Sequence, residues 1–219
     1  GLGTEAAGMV EAVGEGVTDF AVGERVCYIS GPVLGACATH RNYPAARLLK
    51  SPAHMSDEQL AAMMLKAMTV EYLVQRCYAV QPGQFVLWHA AAGGVGLLAG
   101  QWGKHIGARM IGVAAGPQKC QLALDNGYAF CIDRLSEDVA ARVKEITGGA
   151  GVPVVYDGVG KDTFTGSLDS LRTYGVLVCF ELRGKDAGQR VHGALGHAVG
   201  RRAAPHAVQL AQDAGQVHD

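Results

Sequence analysis

Strand-like and helix-like segments alternate along residues 85–180, and this alternation constrains the fold more than any other feature of the chain. Short runs rich in valine, isoleucine and aromatic residues are each followed by a longer segment whose apolar residues have helical spacing. The predicted strands are residues 85–90, 109–115, 129–132, 152–157 and 175–180, and the predicted helices are residues 95–106, 117–126, 136–147 and 163–171. Repeats of this kind form right-handed βαβ units, so the sequence predicts an α/β fold with a doubly wound parallel sheet.

The loop after the first of these strands consists of small residues, "HAAAGGVG" at residues 89–96. Compared with the dinucleotide fingerprint G-x-G-x-x-G, Ala91 replaces the first glycine, and Gly93 and Gly96 occupy the second and third positions. The second glycine lets the backbone approach a pyrophosphate, and the third lets helix and strand pack closely. A purely packing role is the alternative. The strand–loop–helix context favours a cofactor site in a Rossmann-type domain.

The type of dinucleotide is predicted from the end of the second strand. An NAD site usually carries an acid there to hold the ribose 2′-hydroxyl, but this strand ends in Ala114, Ala115 and Gly116. Lys119 follows shortly afterwards, and Arg134 follows the third strand. Two cations would hold a 2′-phosphate, although either residue alone is more often a solvated surface charge. The pattern favours NADPH over NADH.

The N-terminal part has a different pattern. Valines and aromatic residues alternate with polar residues at 9–14 and 24–30, which predicts small antiparallel strands separated by glycine turns. Ser56 and Gln59 form a capping box, with a hydroxyl at the N-cap and an amide three residues later, so a helix is expected from there to about Arg76.

Composition limits the classes of protein that the chain represents. Hydrophobic residues make up 49% and charged residues 18% of the chain, which is typical of a globular protein rather than a disordered one. A net charge of -1 argues against a nucleic-acid groove and against binding to a membrane surface. The uncharged stretch 85–103 is too rich in glycine for a membrane span, and the scattered cysteines indicate free thiols of a reducing, cytoplasmic compartment.

Several segments together resemble one known family. "GTEAAGMVEAVGEGVTDFAVGERV", "LKAMTVEYLV", "HAAAGGVGLLAGQWGKHIGA", "ITGGAGVPVVYDGVG" and "SLDSLRTYGVLVCF" are similar to the zinc-independent, zeta-crystallin-like quinone oxidoreductases of the medium-chain dehydrogenase/reductase superfamily. The resemblance runs from residue 1 to 180. It implies a partial GroES-like catalytic domain with the start of a connecting helix (1–70) and a Rossmann NADPH-binding domain (71–180). Residues 181–219 depart from the family pattern, and their alanine- and glycine-rich composition predicts an atypical, poorly structured tail.

The resemblance also implies a site. Thr69 would lie near the nicotinamide, and Gly94, Val95, Ala115, Gly116 and Lys119 would contact the phosphates and the adenosine ribose. The fingerprint residues Gly93 and Gly96 and the cation Arg134 complete the predicted cofactor-binding set. No catalytic residue is assigned, and the chain shows no Ser/His/Asp arrangement for a protein nucleophile. Lys66 lies three residues before Thr69, and is interpreted either as a cleft residue or, more commonly for a lysine, as a surface charge.

Zinc is not expected. The zinc alcohol dehydrogenases of the same superfamily have histidine where this chain has Thr4, and their structural zinc needs four closely spaced cysteines that are absent here. A threonine hydroxyl is not a usual zinc ligand, because zinc binds thiolate, imidazole or carboxylate groups. His40 and His54 are interpreted as loop residues rather than ligands, so no metal is predicted.

The sequence leaves three functions open. The first is an NADPH-dependent reductase of a quinone or a related electron-poor carbonyl, from a parent protein that the resemblance implies is a homodimer. The second is a non-catalytic, crystallin-like NADPH-binding protein or an inactive fragment, because the chain begins without methionine and no further sheet is recognisable after residue 180. The third is an NADPH-dependent enoyl or alkenal reductase.

Overall fold

The computed structural model describes residues 1–31 and 34–180, together with the backbone of a strand at 207–210. The described residues divide into two compact units, one up to Met68 and the other from Thr69 onward. The predicted tail, 181–219, lies outside the described residues apart from that strand. None of the described helices is long and apolar enough to cross a membrane.

The first unit contains a small antiparallel sheet. Strand β1 (Glu5–Met9) pairs with β2 (Arg25–Ile29), which pairs with the two-residue strand β3 (Leu49–Lys50). The first strand therefore precedes the predicted segment 9–14. Beyond Met9 only Val10 continues the pairing, through hydrogen bonds with the backbone of Glu24 and Gly23. The following residues leave the sheet because the chain turns at glycines, and the Val13 side chain is exposed.

Helix α1 (Asp57–Glu71) begins at the predicted capping box. The backbone N–H of Gln59 donates to Ser56 Oγ at 3.2 Å, and the N–H of Ser56 donates to Gln59 Oε1 at 3.0 Å. The α-helix ends before the expected Arg76 and continues as a π-helical turn, Tyr72–Cys77. The Leu73 carbonyl accepts the N–H of Tyr78, five residues later, at 3.2 Å and also the buried Tyr156 hydroxyl at 3.0 Å.

The second unit is a six-stranded parallel sheet with helices on both faces. Its strands are β4 (Phe85–His89), β5 (Arg109–Ala114), β6 (Phe130–Asp133), β7 (Val152–Asp157), β8 (Leu171–Cys179) and β9 (Ala207–Leu210). Its helices are α2 (Gly94–Ile106), α3 (Pro117–Asp125), α4 (Val139–Ile146) and α5 (Phe164–Ser170). The strand order is β6-β5-β4-β7-β8-β9, the order of a doubly wound sheet.

Alternate side chains of each strand enter two apolar cores. On one face, Val86 and Trp88 pack with Tyr156 and with the residues that follow α1. On the other face, Leu87 and Val155 belong to the cluster that α4 and α5 cover. Burial of both faces explains why the strands contain nearly continuous apolar runs, as expected for a parallel sheet between helices.

Several element bounds in the second unit differ from the sequence-based prediction by one to four residues, most of all the start of β8. Helix α4 begins three residues later than predicted, because the Asp138 carboxylate accepts the N–H of Ala141 at 2.7 Å and so defines the N-cap. The sheet also continues beyond residue 180, since β9 pairs in parallel with β8. The expectation that no sixth strand follows residue 180 was therefore wrong. The sequence shows no sign of this strand, because a four-residue segment in an alanine-rich context has no recognisable strand pattern.

Candidate functional site

The strand order reverses between β4 and β7, which are neighbours although they are not consecutive in the chain. At such a point the helices that follow the two adjacent strands lie on opposite faces of the sheet, and a crevice therefore opens beyond the carboxyl ends of these strands. Ligands of open α/β sheets bind in this crevice. The loop 90–93 after β4 and the turn 158–162 after β7 both lie at this edge.

The glycine loop has two distinct parts. Gly93 and Gly94 are exposed at the start of α2, and Gly93 has φ −80° and ψ 169°. Gly96 is buried, and a Cβ at that position would lie 2.5 Å from the carbonyl oxygen of Ala90 and 2.6 Å from that of Ala91. The positive φ of 53° falls on Ala90 rather than on Ala91, which is fully buried. Gly96 therefore packs the helix against the loop, whereas Gly93 and Gly94 face outward.

Two helix N-termini at this edge are without a side-chain cap. The N-cap residues Gly93 and Gly116 have no side chain to cap these helices, and neither first turn contains an acid, although the N–H of Gly116 itself is bonded to Asp133. Helix α4, by contrast, has its Asp138 cap. Uncapped N–H groups and the positive end of the helix dipole suit phosphate groups, so α2 and α3 fit a dinucleotide.

Hydrogen bonds join the ends of β5 and β6 on one side of the crevice. Gly116 has φ 88°, a left-handed conformation that favours glycine, and its N–H donates to Asp133 Oδ1 at 2.7 Å. The N–H of Arg134 donates to the carbonyl of Ala114 at 3.0 Å. Lys119 is exposed in the first turn of α3, and Arg134 is exposed just after β6. The two predicted cations thus follow neighbouring strands at the same edge.

Asp133 is a residue that the sequence analysis missed. Its carboxylate also accepts the N–H of Leu135 at 3.1 Å, and the hydrogen bonds from Gly116 and Leu135 lower its pKa. The carboxylate thus belongs to the loop that carries Gly116, although it comes from the third strand of the unit rather than the second. Its position directly after the apolar run of β6 was the only signal in the sequence.

The remaining candidates lie on α1. Thr69 is 7% exposed, and the next residue, Val70, belongs to the apolar core that contains Trp88. Lys66 Nζ donates to Glu5 Oε1 and to the carbonyl of Ala62, each at 2.7 Å. Lys66 therefore anchors α1 to strand β1 within the first unit, which accounts for its charge without a catalytic role.

A buried polar network lies beneath the crevice, on the face covered by α5. The last residues of β4 and β7, His89 and Asp157, are 2% and 0% exposed. Ser167 Oγ donates to Asp157 Oδ2 at 2.7 Å and lies 2.9 Å from His89 Nε2. Because the serine proton points to the carboxylate, His89 Nε2–H is the donor to Ser167.

This network brings Ser, His and Asp side chains together, which no local sequence pattern indicated, but it is not the arrangement of a protein nucleophile. The order is Asp–Ser–His, whereas a hydrolytic triad has the histidine between the acid and the nucleophile. Ser167 is also fully buried, and its proton is held by a carboxylate rather than by an imidazole. The three residues therefore do not form a protein nucleophile. The signal in the sequence was a polar residue at the end of two otherwise buried strands.

Acidification should destabilise the fold through His89. Burial lowers its pKa from 6.5, and the Asp157 charge opposes this shift. Below pH 6.5 His89 is protonated in the unfolded chain but stays neutral in the folded chain. The free energy of unfolding therefore falls by at most about 1.4 kcal/mol per pH unit until the pH reaches the pKa of His89 in the folded chain. Denaturant unfolding between about pH 7 and pH 5 should show a steeper loss in the wild type than in His89→Gln. Parallel curves would contradict this prediction.

Metal ligands do not gather in the described part of the chain: no group of three or more His, Cys, Asp or Glu side chains there is placed to hold a metal ion. Thr4 precedes β1, and its carbonyl accepts the N–H of Ser30 at 2.6 Å. The predicted absence of zinc remains a prediction, to be tested by elemental analysis of the purified protein.

Comparisons with known proteins agree with this geometry. Residues 1–53 match the alcohol dehydrogenase GroES-like domain family, and residues 94–196 match the zinc-binding dehydrogenase family. The chain is 50% identical over 180 residues to a quinone oxidoreductase of Salmonella typhimurium, which covers 82% of this chain and 55% of that protein. It is 48% identical over 181 residues to a 2-haloacrylate reductase of Burkholderia sp., covering 82% of this chain and 54% of that protein.

A solved structure shows the same fold. The crystal structure of Escherichia coli quinone oxidoreductase complexed with NADPH matches with a TM-score of 0.84 and 42% identity, covering 96% of this chain and 63% of that chain. Over 82% of its length the chain is thus similar to quinone oxidoreductases, and its two matched segments are similar to the two dehydrogenase domain families. The family resemblance and the α/β fold class with a GroES-like N-terminal domain are thereby confirmed. The chain spans about half the length of the curated quinone oxidoreductases that it matches.

Proposed function

We propose that the protein binds NADPH at the crevice between β4 and β7 and reduces a quinone without a metal ion. The exposed Gly93–Gly94 backbone carries the proposal, because it opens the uncapped helix α2 at the point where the strand order reverses. The phosphates would contact Gly93, Gly94 and Val95, whereas the fourth predicted residue of the loop, Gly96, is buried and would serve the close packing of α2 against the loop.

The adenosine half of the cofactor is proposed to lie over β5 and β6. Ala115 and Gly116 would contact the adenosine ribose, and Lys119 and Arg134 would hold the 2′-phosphate. A phosphate oxygen accepts charge-assisted hydrogen bonds from both kinds of cation. Asp133 Oδ1 already accepts two backbone N–H groups, so this carboxylate has a structural role in the loop that carries Gly116.

NADPH, when bound, supplies a hydride from C4 of its nicotinamide to the electron-poor acceptor. The protein's own contribution is to orient the cofactor and to exclude water. The buried network at His89 and Asp157 forms the floor of the crevice, and Thr69 is proposed to lie near the nicotinamide. No described side chain is assigned as a catalytic acid.

The direct test compares binding with turnover on the full chain. NADPH affinity is measured by fluorescence titration, and NADPH oxidation is followed at 340 nm with 1,4-benzoquinone as acceptor. Binding together with quinone-dependent oxidation supports the proposal. Binding without oxidation favours the non-catalytic NADPH-binding alternative, and absence of binding rejects the site.

A second acceptor separates the two enzymatic alternatives. The 48% identity to a 2-haloacrylate reductase favours testing an activated alkene, and 2-chloroacrylate is the matching probe. A higher kcat/KM for the quinone supports the quinone reductase proposal. A higher kcat/KM for the alkene would instead assign the chain to the enoyl or alkenal reductases.

Lys119→Ala should weaken the preference for NADPH over NADH by about 1–3 kcal/mol, because it removes a charge-assisted contact with the 2′-phosphate. The affinities of both cofactors are measured by titration. Lys104→Ala is the control, since Lys104 is an exposed lysine at the opposite, C-terminal end of α2. Equal affinity of the unmodified protein for the two cofactors would contradict the prediction.

The proposal includes a reducing, cytoplasmic location. All six cysteines are free thiols, and Cys27, Cys120 and Cys179 are buried. Burial raises the pKa of Cys179 to about 12, which disfavours the reactive thiolate form. Buried, unpaired thiols of this kind are typical of proteins from reducing compartments.

A further inference from the structure

We propose that His89, Asp157, Thr163 and Ser167 are positioning residues for the nicotinamide half of the dinucleotide. The inference rests on the proposed function and deepens it, because it assigns a role to side chains that touch neither phosphate nor adenosine in that proposal. These four residues are connected by hydrogen bonds, and the Asp157 carboxylate among them fixes the backbone of the turn 158–162.

The topology assigns this turn to one half of the ligand. Lys119 and Arg134 follow β5 and β6, so the adenosine half is proposed on that side of α2. A dinucleotide that crosses the switch point must extend its other half in the opposite direction, over the end of β7. The turn after β7 therefore lies under the nicotinamide half.

The Asp157 carboxylate organises this turn. It accepts the N–H of Val159 at 2.9 Å, the N–H of Gly160 at 3.0 Å and the Thr163 hydroxyl at 2.7 and 2.8 Å. The Ser167 hydroxyl is the fourth neutral donor to the Asp157 carboxylate. Among the described residues, no cation pairs with this carboxylate. The hydrogen bonds thus replace a counterion, and the position of each donor is fixed by the carboxylate.

The outer side of the turn is suited to an apolar ring. Val159 is 47% exposed although it is a large hydrophobic residue. The turn is also backed by the end of β8, since the N–H of Phe180 donates to the carbonyl of Asp157 and the Phe180 ring lies close to Gly158. An exposed valine on a rigid, internally hydrogen-bonded turn provides a fixed surface for the nicotinamide and its ribose.

His89 extends the network to the strand that precedes the glycine loop. Its ring donates to Ser167, which donates to Asp157, so the ends of β4 and β7 are connected through α5. The next residue along the chain, Ala90, begins the phosphate loop with φ 53°. The network therefore fixes the turn under the nicotinamide relative to the loop under the phosphates.

The test separates positioning of one half of the cofactor from general support of the fold. Asp157→Asn and Thr163→Val remove hydrogen bonds from the turn, and Thr163→Ser is the matched control because it keeps the hydroxyl. Each full-length variant is titrated with NADPH and with adenosine 2′,5′-bisphosphate, which contains only the adenosine half. Thermal unfolding followed by circular dichroism defines a temperature at which each variant is folded.

We expect Thr163→Val and Asp157→Asn to bind NADPH about tenfold more weakly or worse, because each leaves a buried polar group without its partner. Their affinity for adenosine 2′,5′-bisphosphate should stay within about twofold of the wild type, and Thr163→Ser should restore NADPH binding. Equal losses for both ligands, or unchanged NADPH affinity in a folded variant, would overturn the inference. A wild type that binds neither ligand would instead reject the proposed function.

The tautomer of His89 gives a spectroscopic readout that is independent of cofactor binding. Nitrogen NMR of ¹⁵N-histidine-labelled protein should show a neutral ring protonated at Nε2, and this signal should change in Ser167→Ala. A ring protonated at Nδ1 alone would break the connection through Ser167 and would overturn the role assigned to His89.

Discussion

Replacement of Gly96 by alanine is expected to destabilise the second unit by about 3 kcal/mol and to abolish measurable cofactor binding. The added Cβ would lie 2.5 and 2.6 Å from two carbonyl oxygens and 2.7 Å from the carbonyl carbon of Ala91. All three are backbone atoms, so no side chain can rotate away, and α2 has to move. The Tyr128 hydroxyl, which donates to the Gly96 carbonyl at 2.8 Å, opposes that movement.

Denaturant unfolding at constant pH measures the loss, and Gly166→Ala is the matched control. Gly166 lies within α5, where an added Cβ would have no neighbour within 4 Å. An alanine there should stabilise the protein by up to about 1 kcal/mol through helix propensity. Equal unfolding free energies for Gly96→Ala and the wild type would show that the helix adjusts freely and that close packing at Gly96 is unimportant.

Replacement of Gly93 by valine is expected to weaken NADPH binding by at least about a hundredfold while the fold persists. Gly93 is exposed, and its φ and ψ are accessible to any residue. A Cβ would lie 3.1 Å from the carbonyl oxygen of Ala90, which requires a shift of only a few tenths of an ångström. The branched side chain would nevertheless cover the N–H groups at the start of α2, where the pyrophosphate is proposed to bind.

The affinity for NADPH is measured in the series Gly93, Gly93→Ala and Gly93→Val, and it should fall with the size of the side chain. Circular dichroism checks the fold of each variant. Gly8→Val is the control, since Gly8 lies in β1 of the other unit and an added Cβ would have no neighbour within 4 Å. Unchanged affinity in folded Gly93→Val would mean that the small residues of this loop serve packing alone.

Much of the second unit was determined by local sequence patterns. The strand 152–157 was predicted at its observed bounds, and the helices after Ser56 and around residues 95–106 were predicted to within a turn at their starts. These elements have strong local signals: an uninterrupted apolar run, a capping box and glycines before a helix. The fold class followed from the alternation of such elements, because a parallel sheet requires a crossover between consecutive strands.

The tertiary structure decided what local patterns do not encode. The π-helical turn after α1 accepts a hydrogen bond from the hydroxyl of Tyr156, which lies 83 residues away from Leu73 in the sequence. Strand β9 exists through its pairing with β8, and Asp133 joins Gly116 from a different strand. His89, Asp157 and Ser167 come from two strands and a helix, so each looked like an isolated polar residue. Their burial is stable because they bond to one another and because the Asp157 carboxylate also accepts the Thr163 hydroxyl and two backbone N–H groups, and these partners meet only when the chain is folded.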